Sequence, residues 1–282
     1  MKRILSIGLM LVLACTAAVA APKGNIKIAG STTVLPLSQL WAEKYMEKHS
    51  NVSISVSGGG TGQGLSSLIN GTCTIANASR VAKSKEIQSA RERNSQIVSH
   101  KVARDGLAII VNPSNNVKNL TIKQLAEIFS GKVKVWNEVG GKSNKEIVLV
   151  GRDSSSGTYG FFQDEVLGGK AYAKDMMSIP TSQQICQIVS QSADAIGYVG
   201  MAYADEFDNK GKVRVLSLSK KSGQPGMKPT EATVMSGEYP LFRFLFMYTL
   251  GSPSGATADF IKFSLSSEGQ SLVKTAGYLP VK

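Results

Sequence analysis

The chain has 282 residues, 42% hydrophobic and 18% charged, and a formal charge of +12 to which Lys2 and Arg3 contribute two. That balance excludes intrinsic disorder and leaves room for one large domain or two ordinary ones. The basic residues are scattered, and the longest cluster, "SKKSG" near Lys220, has no interleaved aromatics. This disfavours nucleic acid and fits a solvated basic face.

Residues 1–20 read as a secretory signal. Lys2 and Arg3 precede an apolar run over 4–14, and "AVA" at 18–20 offers small residues for cleavage before Ala21. The run is too short to span a membrane, and no later stretch approaches that length. "VLAC" also has the form of a lipoprotein signal ending at Cys15, although Leu13 is bulky for its place. The expectation is free release into the periplasm, with a lipid anchor at Cys15 as the alternative.

Beyond the signal, short β-type runs alternate with helical ones. Strands are expected at 25–29, 52–56 and 73–77, each followed by a Gly-, Ser-, Thr- or Asn-rich turn. The helices after them are expected at 35–49, up to about 69, and at 83–93. Such alternation argues for a parallel-type α/β sheet, in which ligands bind beyond the carboxyl ends of the strands. "ARDGLAIIVNPSN" then runs as one long strand into Pro113.

A second unit follows, with a capped helix over 120–131, a strand over 146–151, and a helix after "RDSSSGT" through "YGFFQDEVL". "TSQQICQIVSQ" reads as a further helix and "AIGYVG" as a strand. A second long apolar run, "LFRFLFMYTL", spans 241–250, and the last thirty residues read as helix and turn. Two long runs joining two α/β units predict two lobes: 21–112 plus 241–282 as lobe I, and 113–240 as lobe II.

Three of the turns have the chemistry to hold an anion. In "GSTTVLP", Ser31, Thr32 and Thr33 stand at a helix start, where hydroxyls cap and the first N–H groups lack partners. In "GGGTG", Gly60 lets the backbone approach closely and Thr61 adds a hydroxyl. In "GRDSSSGT", Arg152 offers a planar fork while Ser156, Gly157 and Thr158 open the next helix. Asp153 is placed to hold Arg152. Singly, each turn reads equally as a capped or flexible connection; together they suit one tetrahedral oxyanion held between two lobes.

Enzymatic patterns are weak. Gly59 and Gly64 have a Walker-type spacing, but Leu65 stands where lysine is needed. No dinucleotide fingerprint follows an early strand, and no His, Cys, Asp and Glu cluster has metal-ligand spacing, so no cofactor is expected. His49 and His100 fall at a helix end and in an alternating strand, and "SSSG" lacks a nucleophile elbow.

"AGSTTVLPLSQLWAEKY", "GGGTGQGLSSLINGTCTIANASR", "ARDGLAIIVNPSN", "GRDSSSGTYGFF", "AIGYVG" and "GQSLVKTAGYLPV" together resemble the phosphate-binding proteins of bacterial phosphate ABC transporters. The resemblance covers essentially the whole chain after the signal. It implies a two-lobed periplasmic binding protein fold of type II, each lobe a mixed sheet flanked by helices, with the ligand in the cleft. It further implies a non-enzymatic, monomeric protein that captures inorganic phosphate by lobe closure and delivers it to a membrane permease. The site it implies is Ser31, Thr32, Thr33, Gly60, Thr61, Ser79, Arg80, Arg152, Ser156, Gly157 and Thr158. Arg80 departs from the family, many of whose members carry there an aspartate that accepts a phosphate proton. Asp153 is an alternative acceptor. Another oxyanion (sulfate, molybdate or a phosphate ester) and a secreted phosphatase using "SSSG" are the rival readings. Cys73 and Cys186 fall in different lobes that would move as hinged bodies, so both are expected as free thiols.

Overall fold

The computed structural model describes residues 23–281; the expected signal and Cys15 lie outside them. In chain order, the first half comprises β1 (Gly24–Gly30), α1 (Leu35–Lys48), β2 (Val52–Gly59), α2 (Thr61–Ile69), β3 (Ile75–Ala78) and α3 (Ser84–Arg91). β4 (Ile97–Val111) leads into β5 (Asn119–Thr121), α4 (Ile122–Phe129), β6 (Val148–Arg152), α5 (Gly157–Glu165), β7 (Met177–Ile179), α6 (Ser182–Gln191) and β8 (Ala195–Gly200). Then come α7 (Met201–Asn209), β9 (Arg214–Val215), β10 (Ser217–Ser219), α8 (Glu231–Met235), β11 (Phe242–Leu250), α9 (Gly255–Ser264) and α10 (Ser267–Thr275).

The two lobes share one path of strands in the order β2-β1-β3-β11-β4-β8-β6-β7, with β9 also on β4. β2, β1 and β3 are parallel neighbours, so the three turns at their carboxyl ends stand side by side as expected. The sheet is mixed because β11 enters antiparallel between β3 and β4. β4 is the element that joins the lobes. As far as Gly106 it pairs with β11, and from Leu107 it pairs with β8. Its burial changes with its surroundings: Ser99 and Lys101 are exposed, whereas every residue from Asp105 to Val111 is buried. A strand covered on both faces reads as a continuous apolar run, which "LAIIV" is.

Alternation on these strands builds two layers in each lobe. Leu245 and Met247 of β11 face Ile26, Trp41, Tyr45, Phe260 and Val273, while Phe246 and Tyr248 face Leu65 and Leu68 of α2. Thus α9 and α10 return to the first lobe, and the Trp41 indole N–H donates to Gly269 O at 2.8 Å to fasten α1 to α10. In the second lobe Leu107, Ile109 and Val111 face Phe129, Trp136 and Phe162, and Ala108 and Ile110 face Ile185 and Val189 of α6. Thr121 and Gln124 form a capping box that starts α4, two residues later than expected because Asn119–Thr121 pairs with β10 instead.

Cys73 and Cys186 are free thiols, the first packed under α2 and the second on the buried face of α6. Burial pushes their pKa values up to about 11 and about 12. In a chain lacking residues 1–20, a thiol titration in denaturant without reductant is expected to find both. In the folded protein at pH 8 the thiolate fraction of Cys73 is roughly one in a thousand, so labelling is expected to be far slower than for an ordinary cysteine.

Candidate functional site

The first residues of α2 and α5 meet at the junction of the lobes. Thr61 and Gly157 each occupy the first helical position, where the N–H has no intrahelical acceptor and the positive end of the helix dipole faces outward. The approach is close: a Cβ on Gly157 would stand 2.6 Å from Ser79 Oγ and would overlap Thr61 Oγ1. Gly60 precedes α2 with φ 95°, a conformation that favours glycine. The Ser156 hydroxyl caps α5 by accepting from Thr158 N at 3.1 Å and Tyr159 N at 3.4 Å, which leaves its own proton to donate.

Around these helix starts the hydroxyls of both lobes form one buried cluster. Thr33 Oγ1 and Thr158 Oγ1 lie 3.1 Å apart, Ser79 Oγ and Thr158 Oγ1 3.5 Å, and Ser79 N donates to Thr61 Oγ1 at 3.1 Å. Ser31, Thr32, Thr33, Thr61, Ser79, Ser156 and Thr158 are all buried. Two tyrosines fix the first turn from below: Tyr278 donates to Thr33 O at 2.5 Å, and Tyr203 of α7 donates to Thr32 O at 3.0 Å. Thr32 Oγ1 is different from its neighbours, being buried with no hydrogen-bond partner among the described residues.

Arg152 ends β6 and is 1% exposed. Its guanidinium donates to Ile179 O at 3.1 Å, Ser182 Oγ at 3.2 Å and Pro180 O at 2.7 Å. These neutral groups fix the plane of the fork and leave one N–H on each terminal nitrogen. Asp153 does not hold it, contrary to expectation; its Oδ1 accepts from Ser155 N at 2.8 Å and from the Ser155 hydroxyl. Among the described residues no carboxylate lies within ion-pair distance of Arg152. Burial pulls its pKa below the ordinary arginine value, with the like charge of Arg243 acting in the same sense and Asp153 opposing. The loop from Arg152 to Tyr159 is also held at both ends by a tyrosine relay. Arg152 N donates to Tyr198 Oη at 3.2 Å, Tyr198 to Tyr172 Oη at 3.1 Å, and Tyr172 to Tyr159 O at 2.8 Å.

Arg80 is buried beside the cluster, but its guanidinium is taken by Glu86, with Nη1 and Nη2 each 2.8 Å from a carboxylate oxygen. Its stem lies against α5, where a Cβ on Gly160 would stand 3.2 Å from Arg80 Cδ. Its charge is thus answered within the protein.

Sequence reasoning did not single out Asp105 and Arg243. They face each other across β4 and β11, with Arg243 Nε and Nη2 donating to Asp105 Oδ2 at 3.0 and 2.9 Å. Arg243 Nη1 reaches Thr158 Oγ1 at 3.0 Å and Ser79 O at 3.2 Å, so the pair ties the strands that join the lobes to the hydroxyl cluster. Asp105 also accepts from Met201 N at 3.0 Å, at the start of α7. Burial pushes the Asp105 carboxyl up, against the pull of Arg243 and the Met201 N–H. The available signal was a charged residue inside each of two apolar strands, since a charge at such a position needs a partner.

The arrangement offers donors and almost no free acceptors: two helix N-termini, a ring of hydroxyls and a guanidinium, all withdrawn from water. A family model described as the PBP superfamily domain matches residues 16–268. The phosphate-binding protein PstS of Pseudomonas aeruginosa strain PAO1 is 34% identical over 274 residues, covering 92% of this chain and 83% of that protein. PstS of Bacillus subtilis strain 168 is 36% identical over 259 residues, covering 92% and 81%. A solved structure described as a proposed phosphate ABC transporter substrate-binding protein with bound phosphate, from Clostridium perfringens, superposes with a TM-score of 0.82 at 30% identity. The superposition covers 92% of this chain and all of that one.

An orphaned buried hydroxyl costs stability, so Thr32→Val is expected to raise the unfolding free energy by about 1 kcal/mol in urea titrations of ligand-free protein. Asp105→Ala leaves a buried guanidinium unpaired and is expected to lower it by about 3–5 kcal/mol in the same measurement.

Proposed function

The chain belongs to the PBP superfamily and, within it, to the phosphate-binding proteins of bacterial phosphate ABC transporters, and from that membership we propose that it captures inorganic phosphate for a membrane permease. The carrying observation is Arg152, a guanidinium buried among neutral groups with no carboxylate partner among the described residues. A buried charge in that condition is stabilised by a small anion that enters the cleft.

Phosphate is held by donors from both lobes. Ser31, Thr32 and Thr33 offer hydroxyls and N–H groups from the first turn, and Gly60, Thr61 and Ser79 line the adjacent wall. Arg152, Ser156, Gly157 and Thr158 close on the opposite side. The free proton of Ser156, the unpartnered Thr32 Oγ1 and the N–H groups of Thr61 and Gly157, the first residues of α2 and α5, are donors without an answer among the described residues. Arg80 bounds the cleft through its stem, because Glu86 occupies its fork.

Lobe I is 21–106 with 241–282 and lobe II is 107–240, a crossing earlier than the expected 112 because β4 exchanges β11 for β8 after Gly106, and β4 and β11 carry the hinge between them. Capture is by closure, without covalent chemistry. The protein works as a monomer, exported by residues 1–20 into the periplasm. None of the described helices is long and apolar enough to cross a membrane.

Phosphate at a hundred times its Kd is expected to stabilise the folded protein by about 2.7 kcal/mol, read as a rise in melting temperature of a few degrees. Sulfate at the same concentration is expected to give a much smaller shift. An equal shift by sulfate defeats the assignment to phosphate. Arg152→Met is expected to weaken phosphate binding roughly 30-fold to 1,000-fold by calorimetry, the scale for removing one member of a buried charge pair. Release of phosphate from an ester by the parent, lost in Ser156→Ala, would defeat the non-enzymatic reading.

A further inference from the structure

The lobes also touch where the anion need not be. Ser155, on the loop between β6 and α5, meets the end of β2 and the first turn of α2 through two bonds. Gly62 N–H donates to Ser155 O at 2.8 Å, and Ser155 Oγ lies 3.0 Å from Gly59 O. The two bonds straddle Gly60, where a Cβ would stand 2.9 Å from Ser155 O, so glycine is what lets the loops meet. Ser155 is held in place by Asp153, which accepts from both its N–H and its hydroxyl. A hydroxyl carries one proton, so Gly59 O and Asp153 share it, whereas the Gly62 bond is independent of it.

Ser155 differs from the next residue in position as well as partners. Ser156 is 2% exposed and caps α5, whereas Ser155 is half-buried and Gly59 is exposed. The contact therefore lies at the rim of the cleft, outside the buried hydroxyl cluster.

We propose that Ser155 is a positioning residue that latches the two lobes at the mouth of the cleft and sets how fast phosphate leaves. The proposal rests on the reading of the cleft as a phosphate site. A bond formed only when the loops meet favours the closed state without touching the ligand, and apparent affinity scales with the population of that state. Opening breaks the bond before the anion departs, so its contribution falls on dissociation rather than on encounter.

The test is stopped-flow kinetics of phosphate binding with the parent and Ser155→Ala. The variant is expected to release phosphate roughly two- to tenfold faster at an unchanged association rate, the scale of one hydrogen bond. Preference for phosphate over sulfate and the melting temperature of phosphate-free protein are expected to stay as in the parent. An unchanged dissociation rate overturns the latch, as does a fall in phosphate-free melting temperature that accounts for the lost affinity. If the parent itself does not bind phosphate, the functional reading fails and takes the latch with it; if the parent binds and only the kinetic difference is missing, the latch alone fails.

Discussion

A guanidinium removed from water has to be answered, and at Arg152 the protein answers it with two carbonyls and a hydroxyl. Those groups fix the plane of the fork without cancelling its charge. The contrast with the other buried arginines is instructive. Arg80 and Arg243 each meet a carboxylate through two nitrogens, in Glu86 and Asp105. The fold neutralises two arginines around the cleft and leaves the third uncompensated. Converging helix starts and hydroxyls gain their meaning from that one charge, because donors crowded together repel unless an acceptor joins them.

Much of this was legible in the sequence, for local reasons. Strand-to-helix turns rich in Ser, Thr and Gly carry their own signal, since helix starts need caps and close approaches need glycine. A parallel order of β2, β1 and β3 then brings those turns side by side. The exposed-to-buried change along β4 was likewise written in "VSHKVARDGLAIIV", where the alternation around Ser99 and Lys101 gives way to the apolar run that ends the strand.

What escaped was long-range pairing. Asp105 and Arg243 are 138 residues apart, and Tyr278 reaches Thr33 across 245. A tyrosine that satisfies a carbonyl looks in sequence like any other core tyrosine. Asp153 misled for the opposite reason. Adjacency to Arg152 suggested a pair, but neighbours in a turn point apart, and its carboxylate is satisfied by Ser155 two residues on. Glu86, six residues after Arg80, was within reach of inspection, because a fork and a carboxylate at that spacing can meet across a turn and the next helix start.

The insertion of β11 between β3 and β4 bears on how the molecule is made. Until residue 250 of 282 has emerged, the first lobe lacks a central strand, and β3 and β4 have open edges facing each other with nothing to join them. The early part of the chain is thereby kept from completing its sheet on its own. A topology that postpones its own completion makes the last seventh or so of the sequence, from β11 onward, the trigger for the first lobe to condense.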